Sequence, residues 1–151
     1  MEPSDAPERV ALCIGLPHGP EAPGLARREI VGAVGDRLPA GILEDLLLVV
    51  SELVANGVRH GAAGIGPGLA LALELDALRM RVTAMDGGAD QRGRNGGGGV
   101  GGWGLAMVAS LADRWGFAPG RPTVAWAEFD LVSSPRSGPS ARSVPNVRRA
   151  R

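Results

Sequence analysis

A helical pattern with polar side chains beside its buried stripe is the feature that most constrains this chain. Between residues 42 and 60 the apolar positions recur every three or four residues, which predicts a long helix that ends at Gly61. Glu52 and Asn56 stand one turn apart at the edge of the apolar stripe, where polar groups are half covered. Because asparagine is a poor helix former, its place there calls for a reason.

Glu52 and Asn56 have two interpretations. Asp45 and Arg59 share their polar arc, so the four side chains can simply form the solvated face of a surface helix. A carboxamide oxygen, however, is a ligand suited to Mg²⁺, and a carboxylate one turn away can accept a proton from a water or hydroxyl nucleophile. The helix alone leaves both interpretations open.

The rest of the chain predicts an α+β fold. Helices segregated to one face of a mixed, mostly antiparallel sheet give a two-layer α/β sandwich. The predicted elements come in the order strand, helix, long helix, two strands, helix and two strands, at 10–16, 24–38, 42–60, 69–75, 78–85, 104–112, 115–117 and 123–132.

Two features around the predicted strands indicate a ligand. Asp86 follows a strand and precedes two glycines, so its carboxylate can accept a hydrogen bond from an exocyclic amine of a flat ring, although Asp-Gly pairs are also common in turns. A glycine-rich run at 96–105 leads directly into a predicted helix. A helix start with free N–H groups and a glycine approach favours an anion.

Two other nucleotide-binding signatures are excluded. All 16 basic residues are arginine, so no lysine is present to hold a phosphate in a P-loop. Residues 99–104 satisfy the dinucleotide fingerprint G-x-G-x-x-G. They follow a polar loop rather than a strand, and the chain after them is too short for a βαβ unit.

Composition and charge narrow the classes of protein to which this chain can belong. With 151 residues, the chain predicts one domain at 8–132 and a disordered, arginine-rich tail at 133–151. The tail carries five arginines and no acids, so the body is acidic, which argues against nucleic-acid binding. The absence of a long apolar run and of a signal-peptide pattern predicts no membrane association and a cytoplasmic location. The lone cysteine, Cys13, is predicted to be a buried small hydrophobe.

Together these segments resemble the GHKL ATPase superfamily, which has the Bergerat ATP-binding fold, and in particular its small anti-sigma-factor serine/threonine kinases. The resemblance covers about residues 10–132. Residues 48–61 are similar to that branch's N box, and 86–88 are a partial first glycine box. Residues 102–105 and 112–116 match the second glycine box and the helix end after it.

The resemblance implies roles for individual residues. Glu52 would be the general base and Asn56 the Mg²⁺ ligand, while Asp86 would read the adenine amine with Gly88 beside the ring. Thr123 stands where the family often uses a threonine near the phosphates. The full ATP-binding set implied is Asn56, Asp86, Gly88, Gly102, Gly104, Leu105 and Thr123.

The resemblance also implies a function, with one departure. It implies an ATP- and Mg²⁺-dependent serine/threonine kinase that binds a sigma factor and phosphorylates its anti-anti-sigma antagonist. Such proteins are often homodimers, and the first strand and helix are the expected contact surface. Ala89-Asp90 stands where a further glycine or proline is often found. A non-catalytic protein-binding module, with ATP as a structural ligand or with none, therefore remains the alternative.

A third hypothesis, the catalytic fragment of a sensor histidine kinase, lacks support in the sequence. That hypothesis needs a phospho-acceptor histidine on a dimerisation helix upstream. His18, the only histidine before the long helix, stands in a Pro-Gly loop and is predicted to be exposed.

Overall fold

The computed structural model describes residues 9–60, 68–87, 103–118, 120 and 122–132. Within these residues, strands and helices follow one another in the predicted order, and the α+β class is confirmed. The elements are β1 (Val10–Leu16), α1 (Ala22–Val34), α2 (Ala40–His60), β2 (Leu69–Leu75), β3 (Arg79–Asp86), α3 (Trp103–Leu111), β4 (Arg114–Ala118) and β5 (Thr123–Asp130). The predicted tail at 133–151 lies outside the described residues.

The strands form one five-stranded sheet in the order β1-β2-β3-β5-β4. Every strand pair in the described part of the chain is antiparallel, whereas the sequence predicted a mixed, mostly antiparallel sheet. The short link at residues 76–78 explains the β2–β3 pairing, because so few residues can join only antiparallel neighbours. Asp76 accepts hydrogen bonds from the backbone N–H groups of Leu78 and Arg79, which fix this turn and lower the pKa of the Asp76 carboxyl.

The sheet buries one face against the helices and turns the other toward solvent. Successive side chains of a strand point to opposite faces. On β2, Leu69, Leu71, Leu73 and Leu75 are buried, and the residues between them are half-buried or exposed. The core therefore lies between the sheet and the helix layer, as in a two-layer sandwich.

Helix α2 is the central element of the helix layer. Its buried side chains include Leu46, Val49, Val50 and Leu53, which follow the predicted apolar stripe. It packs against α1 and α3 and against strands β2, β3 and β5. Because α2 spans the sheet, Glu52 and Asn56 near its carboxyl end lie at one end of the interface between the helix and the sheet.

Helix α1 begins and ends earlier than the sequence predicted. Pro23 lies in its first turn, where the missing proline N–H costs no helical hydrogen bond. The helix ends at Val34, and the Gly35 N–H donates to the Val31 carbonyl at 2.9 Å. Leu38, predicted to belong to the helix, follows this end and is still buried.

The outer face of the sheet carries a charged cluster. Glu128 on β5 accepts hydrogen bonds from Arg81 at 3.0 Å and from Arg114 at 2.8 Å, and Arg114 also bonds Asp130. The Arg81 guanidinium lies 4.4 Å from the centre of the Trp126 ring. Burial alone would raise the pKa of Glu128, but the hydrogen bond and charge of Arg114 and the charge of Arg81 lower it overall. Hydrogen bonds to Asp130 and Glu128 in turn raise the pKa of Arg114.

Two predictions about single residues are wrong. Cys13 is exposed, because β1 is an edge strand and Cys13 points to the outer face of the sheet. His18 is only half exposed, and its Nε2 is buried with no hydrogen-bond partner among the described residues. Among the described helices, none is long and apolar enough to cross a membrane.

Candidate functional site

The carboxyl-terminal half of α2 presents the two side chains singled out in the sequence. Glu52 and Asn56 are both half-buried, while their neighbours Leu53 and Val54 are fully buried. One helical turn separates them, an axial distance of about 6 Å. Their position at the rim of the core leaves each polar group accessible from one side.

Gly57 allows α2 to lie directly against the sheet beside Asp86. A Cβ atom placed on Gly57 would lie 2.6 Å from Leu69 Cδ1 and 3.7 Å from Asp86 Oδ2. Only the absence of a side chain at this position permits that approach. Asp86 is the last residue of β3 and is 7% exposed. The Asp86 carboxylate therefore lies beside Gly57 of α2, the residue that follows Asn56.

Thr123 lies directly across the sheet from Asp86. The two residues are partners in the β3–β5 register, so their side chains share the helix-facing side of the sheet. The Thr123 hydroxyl donates a hydrogen bond to the Gly120 carbonyl at 3.1 Å, which closes the turn before β5. The fold thus places Asp86 beside Gly57 of α2 and opposite Thr123 of β5, although the three residues are far apart in the sequence.

Helix α3 carries two of the other residues predicted to contact the ligand, Gly104 and Leu105. It begins at Trp103, so Gly104 falls within its first turn, and it packs against α2. Leu105 is 8% exposed, which makes it a packing residue at the start of this helix. Gly88 and Gly102, which were predicted to contact the ligand, lie outside the described residues.

One contact beside Glu52 could not be predicted from the sequence. Arg27 on α1 donates a hydrogen bond through Nη1 to Ser51 Oγ at 2.9 Å, and the Ser51 hydroxyl donates to the Leu47 carbonyl at 2.7 Å. This bond ties α1 to α2 at the residue before Glu52. Since 24 residues separate the partners, no local periodicity could have found it.

The donor set of the site suits Mg²⁺ that is held together with phosphates. Within the described residues, no group of three or more His, Cys, Asp or Glu side chains could hold a metal ion. An ion at Asn56 would therefore take most of its ligands from water and from a bound phosphate chain, as Mg²⁺ commonly does. The amide oxygen of the half-buried Asn56 is a donor of the kind that such an arrangement requires.

Comparison with known families identifies the class. Residues 17–125 match the histidine kinase-like ATPase domain, and the chain belongs to this family. Domains of this GHKL type bind ATP, which agrees with the resemblance found in the sequence.

A solved structure has the same fold. It is the crystal structure of the RsbU and RsbW domains of Rv1364c from Mycobacterium tuberculosis, with a TM-score of 0.64 and 23% sequence identity. The match covers 80% of this chain and 32% of that chain, so this protein spans about a third of the length of that neighbour. A search of curated proteins found no match.

Proposed function

We propose that this protein is an ATP- and Mg²⁺-dependent serine/threonine protein kinase of the anti-sigma-factor type. In this role it binds a sigma factor and phosphorylates the anti-anti-sigma antagonist that would otherwise release it. We further propose that the ATP-binding domain comprises residues 8–132 and that the protein acts in the cytoplasm.

One structural observation carries the proposal. Asp86 lies against α2 at Gly57, next to Asn56 and one turn beyond Glu52. The buried Asp86 carboxylate would form one end of the site. The half-buried Asn56 and Glu52 side chains would form the other end. In a chain of the histidine kinase-like ATPase family, these ends suit the base and the phosphates of ATP. An RsbW domain in a structural neighbour supports the anti-sigma branch.

The side chains divide the work of phosphoryl transfer between them. Asp86 would accept a hydrogen bond from the adenine amine, and Asn56 would hold a Mg²⁺ ion, which would supply the positive charge that neutralises the phosphates. Gly88, Gly102, Gly104, Leu105 and Thr123 complete the contacts to the nucleotide. Glu52 accepts the proton of the attacking serine or threonine hydroxyl, while bound ATP supplies the phosphoryl group.

A Glu52→Gln variant tests the catalytic role. The amide keeps the size of the side chain and cannot act as a base, so ATP binding should persist. Phosphate transfer to a co-encoded antagonist protein should fall at least about a hundredfold. Glu44→Gln, at an exposed position on the same helix, is the matched control and should leave transfer unchanged. Full transfer by the Glu52 variant would remove this residue from the mechanism.

The second candidate is a regulatory module that binds partner proteins without transferring phosphate. The observation in its favour is Ala89-Asp90, which replaces the further glycine or proline often found after the first glycine box. Calorimetric titration of ATP, with and without Mg²⁺, shows whether the protein binds the nucleotide at all, and no heat at millimolar ATP leaves a protein-binding role alone. Where ATP does bind, phosphate transfer by the wild type supports the kinase, and binding without transfer supports a module that uses ATP as a structural ligand.

A further inference from the structure

A cavity of about 470 Å³ opens at the outer face of the sheet, beside the edge strand β1. Its charged lining consists of three arginines and three acids, namely Arg9, Arg79, Arg81, Glu74, Asp76 and Glu128. Arg79 is the first residue of β3 and Asp86 is the last, so about 23 Å of strand separates this cavity from the adenine end of the proposed ATP site. The cavity is therefore distinct from that site, and the proposed kinase mechanism does not use it.

Two of the three acids in the cavity already accept hydrogen bonds from the protein itself. Both carboxylate oxygens of Glu128 accept a guanidinium N–H, one from Arg81 at 3.0 Å and the other from Arg114 at 2.8 Å. Asp76 accepts two backbone N–H groups of the β2–β3 turn, at 2.8 and 2.9 Å. Glu74 is exposed and makes no hydrogen bond to another described residue. Glu74 is thus the one acid of the lining whose carboxylate remains available.

The three arginines, in contrast, keep N–H groups that the described part of the protein does not use. A guanidinium has five N–H donors. Arg9 makes no hydrogen bond to another described residue, and the one ion pair of Arg79 is a long contact of 3.9 Å to Asp130. Arg81 donates through Nη1 alone, and its guanidinium is held 4.4 Å from the centre of the Trp126 ring. Unused donors on three cations around one cavity suit a ligand that is rich in acceptors.

A phosphate group fits this lining better than a carboxylate does. The oxygens of a tetrahedral phosphate can each face a different guanidinium, whereas a carboxylate has two oxygens in one plane. Val10, Ala11 and Leu75 form the apolar part of the lining. The volume of the cavity is in the range of pockets that hold small organic molecules. A small molecule that carries a phosphate on an organic group would therefore satisfy both parts of the lining.

From this arrangement we infer that the cavity binds the phosphate group of a small phosphomonoester through Arg9, Arg79 and Arg81. The unused N–H groups of the three arginines would hold the phosphate oxygens in charge-assisted hydrogen bonds. Glu74 lies opposite Arg81 in the β2–β3 register, so its negative charge would oppose the anion and limit its affinity. The inference rests on the outer face of the sheet and is independent of the proposed kinase activity.

Amide-resolved NMR of the isotope-labelled protein tests whether an anion binds at this place. Titration with phenyl phosphate at constant ionic strength should shift the amide signals of Arg9, Ala11, Glu74 and Arg79 in a saturable way. Inorganic phosphate should shift the same signals but bind at least about threefold more weakly, because it leaves the apolar lining uncovered. Acetate should give no saturable shift there. No saturable shift at these four residues, or equal affinity for the two phosphates, would overturn the inference of a phosphomonoester.

Charge-removing variants test the role of the arginines in the same titration. Arg9→Gln and Arg79→Gln should each weaken the binding of phenyl phosphate at least about fivefold, because each loses hydrogen bonds from a charged donor. Both arginines are exposed, so circular dichroism should show that both variants fold. Arg28→Gln is the matched control, since it removes the same charge from an exposed position on α1 and should change the affinity less than about twofold.

The sign of the charge on the ligand is tested by Glu74→Gln. Removing the available acid of the lining should tighten the binding of phenyl phosphate, since it removes a repulsion beside Arg81. Weaker binding by this variant would show that the cavity recognises a positive group and would contradict the inference. Wild-type affinity in both Arg9→Gln and Arg79→Gln, or an equal loss of affinity in Arg28→Gln, would contradict it as well.

Discussion

Substitution of Gly57 by alanine probes the contact on which the candidate site depends. The added Cβ would lie 2.6 Å from Leu69 Cδ1, well inside van der Waals contact. Leu69 is 1% exposed, so its side chain can move only by displacing other core residues. Overpacking of this kind costs about 1 to 3 kcal/mol. Replacing glycine in a helix gains about 1 kcal/mol. We expect a net loss of about 1 kcal/mol in the free energy of unfolding.

Gly32→Ala is the matched control for this change. Gly32 is also helical, and a Cβ placed there meets nothing within 4 Å. The same substitution should therefore stabilise the protein by about 0.5 to 1 kcal/mol through helix propensity alone. The two variants should differ by about 2 kcal/mol in urea unfolding followed by circular dichroism. If Gly57→Ala were as stabilising as Gly32→Ala, the close approach of α2 to Leu69 and Asp86 would be refuted.

Three further perturbations test the charged cluster, the outer face and the metal ligand. The pKa of Glu128 is below its ordinary value of 4.5, so its stabilising effect should be complete above that pH and disappear as the pH falls through the lower folded-state pKa. Acid unfolding of Glu128→Gln should lack this component. A Cβ on Gly116 would lie 2.6 Å from the Trp126 indole, so Gly116→Ala should shift tryptophan fluorescence and cost about 1 to 3 kcal/mol of stability. An unchanged spectrum would contradict that contact. Asn56→Ala should abolish the dependence of ATP affinity on Mg²⁺, as measured by calorimetry with and without the ion; a retained dependence would exclude Asn56 as ligand.

The sequence predicted elements with strong periodicity and missed effects that depend on the sheet. The apolar stripe of α2 and the alternation in β2 located both elements correctly, because burial on one face leaves a repeating pattern. The position of Cys13 could not be predicted in this way. Its apolar neighbours favoured burial, whereas its exposure follows from the place of β1 at the sheet edge.

The candidate site likewise combines residues that the sequence could predict with contacts that depend on tertiary structure. The spacing of Glu52 and Asn56 was visible in the sequence because both residues lie on one helix. The pairing of Asp86 with Thr123 required the β3–β5 register, and the bond from Arg27 to Ser51 required the packing of α1 on α2. Asp86 also proved to be the last residue of its strand rather than the residue after it. Contacts of this kind are set by tertiary structure and leave no local pattern.

The proposed function depends most on Asp86, which we propose forms the adenine end of an ATP site beside α2. Calorimetric titration of Mg²⁺-ATP into the wild type and Asp86→Asn tests it most directly, with circular dichroism to show that the variant is folded. Hydrogen bonds to charged groups contribute about 1.5 to 3 kcal/mol, so the variant should bind ATP at least about tenfold more weakly than the wild type. GTP, which carries a carbonyl in place of the amine, should bind the wild type poorly. Equal ATP affinity in the two proteins, or no binding by the wild type, would contradict the account.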